Sequence, residues 1–310
     1  MMSEPPIDLA LEPASETPAL PEPETQPERV YRHKLPVRLW HWTNAIAMIT
    51  LFMSGLMIFN AHPRAYWGHY GANAAGAPDP AWIEIGPNGA GDGEVRFPGL
   101  GLTIPTDGVF GRAADAEGTS RNRAFPYWMT APQKYELAAA RGYHFFAAWW
   151  FGIGFLLFFL WAVVSRHASR DLTPTLNELS PKHLLHEVAD HARLRFPTGL
   201  AAARFNTLQK LSYFVVILIF VPLMILSGLT MSPSMDASWP WLVDLFGGRQ
   251  SARSVHFIIC WALFGFTIVH LLMVVLAGPV NEIRSMITGW FKLPKERVAE
   301  PIADTEGATV

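Results

Sequence analysis

The sequence predicts an all-α fold: an integral membrane four-helix bundle with both termini cytoplasmic and one long periplasmic loop between spans one and two. Three observations carry that prediction. Half of the 310 residues are apolar and only 16% are charged, well below the charged share of an ordinary soluble domain. The apolar residues gather into stretches of about twenty, the length that crosses a hydrocarbon core. Basic residues cluster at alternate ends of those stretches.

Taken in order, residues 1–29 are rich in Pro and Glu and poor in apolar mass, and predict a disordered tail. They lack the basic segment of a cleaved signal, so the first span is expected to insert uncleaved. The four-span domain is expected over 30–292, with spans at 39–59, 144–164, 211–230 and 255–277, and a C-terminal tail over 293–310. The loop over about 60–140 is rich in Gly and Pro and carries Trp67, Trp82 and Trp128. Residues 281–291 mix Ile283, Met286, Ile287, Trp290 and Phe291 with polar neighbours, the pattern of a short interfacial helix. Trp40, Trp42, Trp149, Trp150, Trp239 and Trp241 mark span ends as interface anchors.

Arg29, Arg32, Lys34 and Arg38 precede span one, seven Lys and Arg lie in 166–210, and Arg284, Lys292, Lys295 and Arg297 follow span four. The loop between spans three and four has only Arg249 and Arg253. The excess of positive charge therefore puts both termini inside and the long loop outside.

Cys260 is the one cysteine. That excludes an internal disulfide, a thiolate zinc site, an iron–sulfur cluster and a CxxCH haem attachment. No phosphate loop, no GxGxxG and no nucleic-acid module is present. A metal centre would have to rest on histidine, methionine or carboxylate.

Of eleven histidines, His41, His144, His256 and His270 lie within or at the edge of spans. His256 and His270 are fourteen residues apart in one span, nearly four helical turns. They leave almost the same helix face about 21 Å apart. Given the orientation, His144 and His256 lie toward the outer face, and His41 and His270 toward the inner. His33 falls outside the apolar layer, which favours His41. Two imidazoles facing one another in an apolar bundle suit an iron porphyrin that needs two axial ligands. Gly55, Gly152, Gly154, Gly228 and Gly265 offer room for a flat ring, or equally close helix packing. The four spans hold no Asp or Glu, against the habit of proton and ion carriers. A haem-free anchor or histidine-based transporter is the alternative from another class. His183, His186 and His191, with Glu187 and Asp190, read as a polar helix rather than a metal cluster, and His62 and His69 as surface residues.

The run Arg38-Leu39-Trp40-His41-Trp42, preceded by Tyr31-Arg32-His33, together with His256 and His270 at their separation, resembles the bacterial di-haem cytochrome b561-type family. Its members include membrane subunits of formate dehydrogenase-N, nickel–iron hydrogenase and thiosulfate reductase. The resemblance implies two b-type haems, His41 with His270 and His144 with His256, and a quinone site by the inner one. Asn206-Thr207-Leu208-Gln209-Lys210 matches the Asn-x-x-Gln-Lys motif that opens the third span in the formate dehydrogenase type. By resemblance Asn206, Gln209 and Lys210 carry the quinone role. A helix cap for Asn206 and a snorkelling anchor for Lys210 are the structural counterparts. Arg38 and Lys210 are candidates to meet haem propionates or quinone oxygens.

The long outer loop departs from the smaller members and suggests a docking surface for a periplasmic redox subunit. The thiosulfate-reductase type, attached to a molybdopterin enzyme, is the nearest likeness, with a Ni,Fe enzyme as the other choice. The resemblance thus implies a multi-pass, electron-transferring subunit of the bacterial inner membrane. It works between that partner and the quinone pool, and more than one copy is expected per assembly. A free-standing quinol oxidase is the nearer alternative.

Overall fold

The computed structural model describes residues 28–73, 80–168, 173–175, 177–193, 195 and 197–294. Its helices, in chain order, are α1 (Leu35–Phe59), α2 (Leu137–Val164), α3 (Pro181–Ala192), α4 (Thr207–Phe214), α5 (Val221–Met231), α6 (Pro233–Ser238), α7 (Trp241–Leu245), α8 (Arg249–Ala277) and α9 (Pro279–Thr288). A π-helical turn over Val215–Phe220 joins α4 to α5, so these form one continuous span. Among the described residues four helical segments are long and apolar enough to cross a membrane: α1, α2, 199–231 and α8. Each contains a predicted span. α1, α2 and α8 run longer at their polar ends, because helices continue past the hydrocarbon boundary where hydropathy stops marking them.

α1 packs along α2, and α5 along α8. The Trp40 ring stacks on Phe158 with centres 4.2 Å apart, and Phe52 stacks on Phe264 at 4.5 Å. Ala47, Phe151 and Val221 form a buried cluster joining α1, α2 and the third span. The outward faces stay apolar: Ile46, Phe146, Leu157, Val269 and Val275 are all exposed. Lipid would cover that surface, and the helices satisfy their own backbone groups as hydrocarbon requires. The π-turn in the third span has a local cause. Pro222 has no N–H to donate back toward residue 218, and its ring crowds that carbonyl, so the helix widens just before it.

The all-α prediction needs correction in the long loop. Strands β1 (Arg29–Tyr31), β2 (Arg64–Ala65), β3 (Ile83–Pro87), β4 (Gly93–Phe97), β5 (Leu102–Pro105), β6 (Gly111–Ala114), β7 (Ser120–Arg123) and β8 (Trp290–Lys292) are present. β2, β3, β4 and β5 form an antiparallel sheet in that order, and β6 pairs with β7 as a hairpin. Ile83 and Ile85 alternate inward on β3 and pack with Leu56, Phe59 and Phe125. The sheet thereby shares a core with the end of α1. It is pinned to the start of α8 as well. Trp82 Nε1 donates to Ser254 Oγ at 2.8 Å, and the Gly68 amide to Ser251 Oγ at 2.8 Å. Arg253 donates to the His62 carbonyl.

At the other end of the bundle, Gly278 takes a positive φ of 109° and Pro279 follows, which stops α8 sharply. Of the amphipathic helix expected over 281–291, residues 281–288 belong to α9, while Gly289 at a φ of 90° ends it and Trp290 and Phe291 fall in β8. α9 folds across the start of α1: Trp42 Nε1 donates to the Met286 carbonyl, and Arg32 pairs with Glu282. β8 then pairs with β1, Arg29 opposite Lys292. The predicted tail 1–29 lies outside the described residues up to 27, and Arg29 already belongs to a strand. Of the predicted C-terminal tail, residues 295–310 lie outside the described residues.

Candidate functional site: two histidine pairs in the bundle

The four span histidines come together in two pairs. His144 on α2 faces His256 on α8 with ring centres 6.3 Å apart and planes at 61°. His41 on α1 faces His270 on α8 with centres 6.2 Å apart and planes at 62°. The first is the sheet-end pair and the second the α9-end pair. Because α8 is unbroken, its fourteen-residue interval from His256 to His270 separates the pairs by about 21 Å along the axis.

The spacing within each pair fits a metal held between two imidazoles. Metal–imidazole nitrogen bonds are about 2 Å long, so opposed ligand nitrogens stand about 4 Å apart and their ring centres roughly 6 Å apart. Two further observations agree with a ligand role. His41 Nδ1 is buried with no hydrogen-bond partner among the described residues. The glycines beside the sheet-end rings act as cradles. A Cβ on Gly55 would meet His144 Cε1 at 3.3 Å, and one on Gly228 would meet His256 Cε1 at 3.3 Å. Of the other glycines the sequence nominated, Gly154 would reach only Trp40 at 3.9 Å, and Gly152 and Gly265 would meet nothing within 4 Å.

Sequence reasoning missed the residues behind those rings. Ser54 Oγ lies 3.1 Å from His144 Nδ1, and Ser227 Oγ lies 3.1 Å from His256 Nδ1. Both serines are fully buried. A signal was present: Ser54-Gly55-Leu56 and Ser227-Gly228-Leu229 repeat one tripeptide, once in span one and once in span three. Asn44 is a second omission. Its Oδ1 is buried without a partner among the described residues, one turn beyond His41.

The predicted quinone residues are locally engaged. Asn206 caps α4: its side chain accepts from the Gln209 amide at 2.8 Å, and Gln209 Oε1 accepts from the Asn206 amide at 3.2 Å, a reciprocal capping box. Asn206 Nδ2 lies 3.2 Å from His191 Nε2. Lys210 Nζ donates to Glu178 Oε1 at 2.7 Å, and that bond holds the Glu178 carboxyl below its ordinary pKa. Arg38 donates to the Ile287 carbonyl from one nitrogen, while its buried Nε has no partner among the described residues.

His183, His186 and His191 lie on α3 as expected of a polar helix. His183 faces Glu187 at 3.2 Å, and His186 faces Asp190 at 3.3 Å. Among the described residues no group of three His, Cys, Asp or Glu is placed to hold a metal ion. His33 is buried beside Phe205 rather than turned toward His270. His62 contacts the Tyr66 hydroxyl at 3.2 Å.

Comparison with known proteins adds the following. Residues 32–289 match the family of prokaryotic cytochrome b561. A protein of Azotobacter vinelandii, named a probable Ni/Fe-hydrogenase B-type cytochrome subunit, is 26% identical over 301 residues, covering 93% of this chain and 99% of its own. Proteins of the same name from Bradyrhizobium diazoefficiens and Cupriavidus necator are 24% and 22% identical over 272 residues, or 84% of this chain and 85% and 86% of theirs. No solved structure matches the chain at a significant level.

Proposed function

The chain belongs to the prokaryotic cytochrome b561 family, and from that premise we propose that it carries electrons between a Ni/Fe-hydrogenase-type partner at the sheet end and quinone at the α9 end. It is a multi-pass membrane cytochrome b subunit. The partner named in the relatives is a Ni/Fe hydrogenase, which favours that enzyme over the molybdopterin type the sequence suggested. The observation that carries the reading is the meeting of four histidines as two pairs with ring centres 6.2 and 6.3 Å apart.

His144 and His256 hold one b haem, and His41 and His270 the second. When bound, such a group supplies one-electron exchange between ferric and ferrous iron, and the protein supplies ligands, spacing and surroundings. Phe52 stacked on Phe264, and the buried Phe151, make the bundle interior apolar. The β2–β5 sheet, pinned to α8 one turn before His256, offers the partner a rigid surface near the first pair. Quinone meets the second pair near Arg38, Asn206, Gln209 and Lys210, and the unpartnered Asn44 oxygen adds an acceptor for a quinol hydroxyl. The direction of the bundle in the bacterial inner membrane puts the sheet outside, by the distribution of positive charge.

The test is a reduced-minus-oxidised spectrum of the purified chain. Two b haems per chain are expected. His41→Ala and His256→Ala should each remove one, and the two losses should differ spectrally. A colourless preparation of intact protein sinks the proposal.

A further inference from the structure

The sheet-end pair has a feature its counterpart lacks. Ser54 Oγ donates to the Thr50 carbonyl at 2.5 Å, and Ser227 Oγ to the Met224 carbonyl at 3.2 Å. A hydroxyl has one proton. Once it is committed to the helix carbonyl, the oxygen can only accept. The groups 3.1 Å away, His144 Nδ1 and His256 Nδ1, must then be the donors. His256 Nδ1 also lies 3.1 Å from the Met224 carbonyl, an acceptor only. Each ring is thereby fixed with its proton on Nδ1 and its lone pair on Nε2. The glycine after each serine lets the ring come close to the helix, where a Cβ would meet its Cε1 at 3.3 Å. The device occurs twice: span one serves a histidine of span two, and span three serves one of span four. His41 Nδ1 has no such partner among the described residues.

We infer that Ser54 and Ser227 are matched positioning residues that set the tautomer and ring plane of His144 and His256 and lower the midpoint potential of the haem between them. The inference rests on the assignment of that pair as axial ligands. A hydrogen bond from Nδ1–H makes Nε2 a stronger electron donor. Stronger donation favours ferric over ferrous iron. The effect belongs to one haem, because among the described residues only the sheet-end rings have serines at hydrogen-bond distance.

The experiment is a dye-mediated potentiometric titration of the full chain in native membranes, with the low-spin ferric resonance recorded alongside. Ser54→Ala and Ser227→Ala remove an oxygen and leave the volume nearly unchanged. Both haems should remain. One midpoint should rise, by up to about tenfold in the redox equilibrium for each serine, or about 59 mV, while the other stays in place; the carbonyls still within reach, Met224 for His256 and Leu51 for His144, keep the shift below that of losing every acceptor. The ferric signal of the shifted haem should change as its imidazole planes rotate, and Ser54→Thr should bring the midpoint back toward that of the unaltered chain. The proposal is overturned if both haems remain with midpoints and resonance unmoved, or if both midpoints move together. It is equally overturned if a serine variant loses a haem that threonine does not restore. The ligand assignment fails separately: His144→Ala and His256→Ala would each keep two haems.

Discussion

Asn206 combines two duties that substitutions separate. Its side-chain oxygen caps α4, and its amide nitrogen is the group that resemblance assigns to a quinone carbonyl. Alanine removes both, at a cost of about 1 kcal/mol for the cap. Aspartate keeps an oxygen for the Gln209 amide and removes only the N–H donors. Asn206→Asp should therefore leave thermal stability near that of the unaltered chain and lower quinone reduction. Full turnover in that variant would confine Asn206 to capping. His33 offers a second residue-scale expectation. It is buried beside Arg32, and burial first, then the Arg32 charge, brings its pKa from the ordinary 6.5 to about 4. Between those values the unfolded chain binds a proton that the folded chain refuses, so stability rises with pH through that window and is lost as acid is added. The full loss is roughly 3 kcal/mol. Melting temperatures of the unaltered chain should fall from pH 7 to pH 5, and His33→Gln should flatten that fall. Equal slopes for the two would remove His33 from the pH response.

At the scale of elements, the fold divides into what hydropathy can mark and what it cannot. The spans were legible because hydrocarbon demands a long apolar run for each crossing. The histidine pairs were legible because a helix fixes depth per residue, so opposite chain directions leave one consistent sorting. The first turns of α1 and α8 were not, since Leu35 to Arg38 and Arg249 to Ser254 are helical yet Pro36, Arg38, Arg249 and Arg253 break the apolar run there. The sheet was hidden for a similar reason. Its strands are two to five residues long, and only Ile83 and Ile85 show a buried alternation among many glycines. Two of those glycines are structural necessities. A Cβ on Gly111 would fall 2.6 Å from the Gly86 carbonyl oxygen, at a φ of 82°, and one on Gly93 would fall 2.2 Å from the Phe110 carbonyl oxygen. Gly111→Ala should thus loosen β3 and β6 and expose the sheet to protease, while the span helices and their pigment remain. An equally resistant loop in that variant would show that the strands can part without cost.

At the scale of the whole molecule, the two histidine pairs matter only if they lie at opposite depths of a bilayer with the sheet facing out. The argument for that direction is electrostatic: seven basic residues in 166–210 against two in the short loop between spans three and four. It is open to direct test, because the chain has one native cysteine, Cys260, within the apolar length of α8. A membrane-impermeant thiol reagent should find little there. Leu100 stands 78% exposed just ahead of β5, and Lys182 is exposed at the start of α3. In intact cells stripped of their outer membrane, Leu100→Cys should label at once, and Lys182→Cys only after the inner membrane is opened. The reverse pattern would turn the bundle over. His41 and His270 would then lie toward the outside, and a partner at the sheet end would have to work from the cytoplasm. Labelling of both positions in sealed cells would remove the bilayer between them, and with it the reason for two centres about 21 Å apart on one helix.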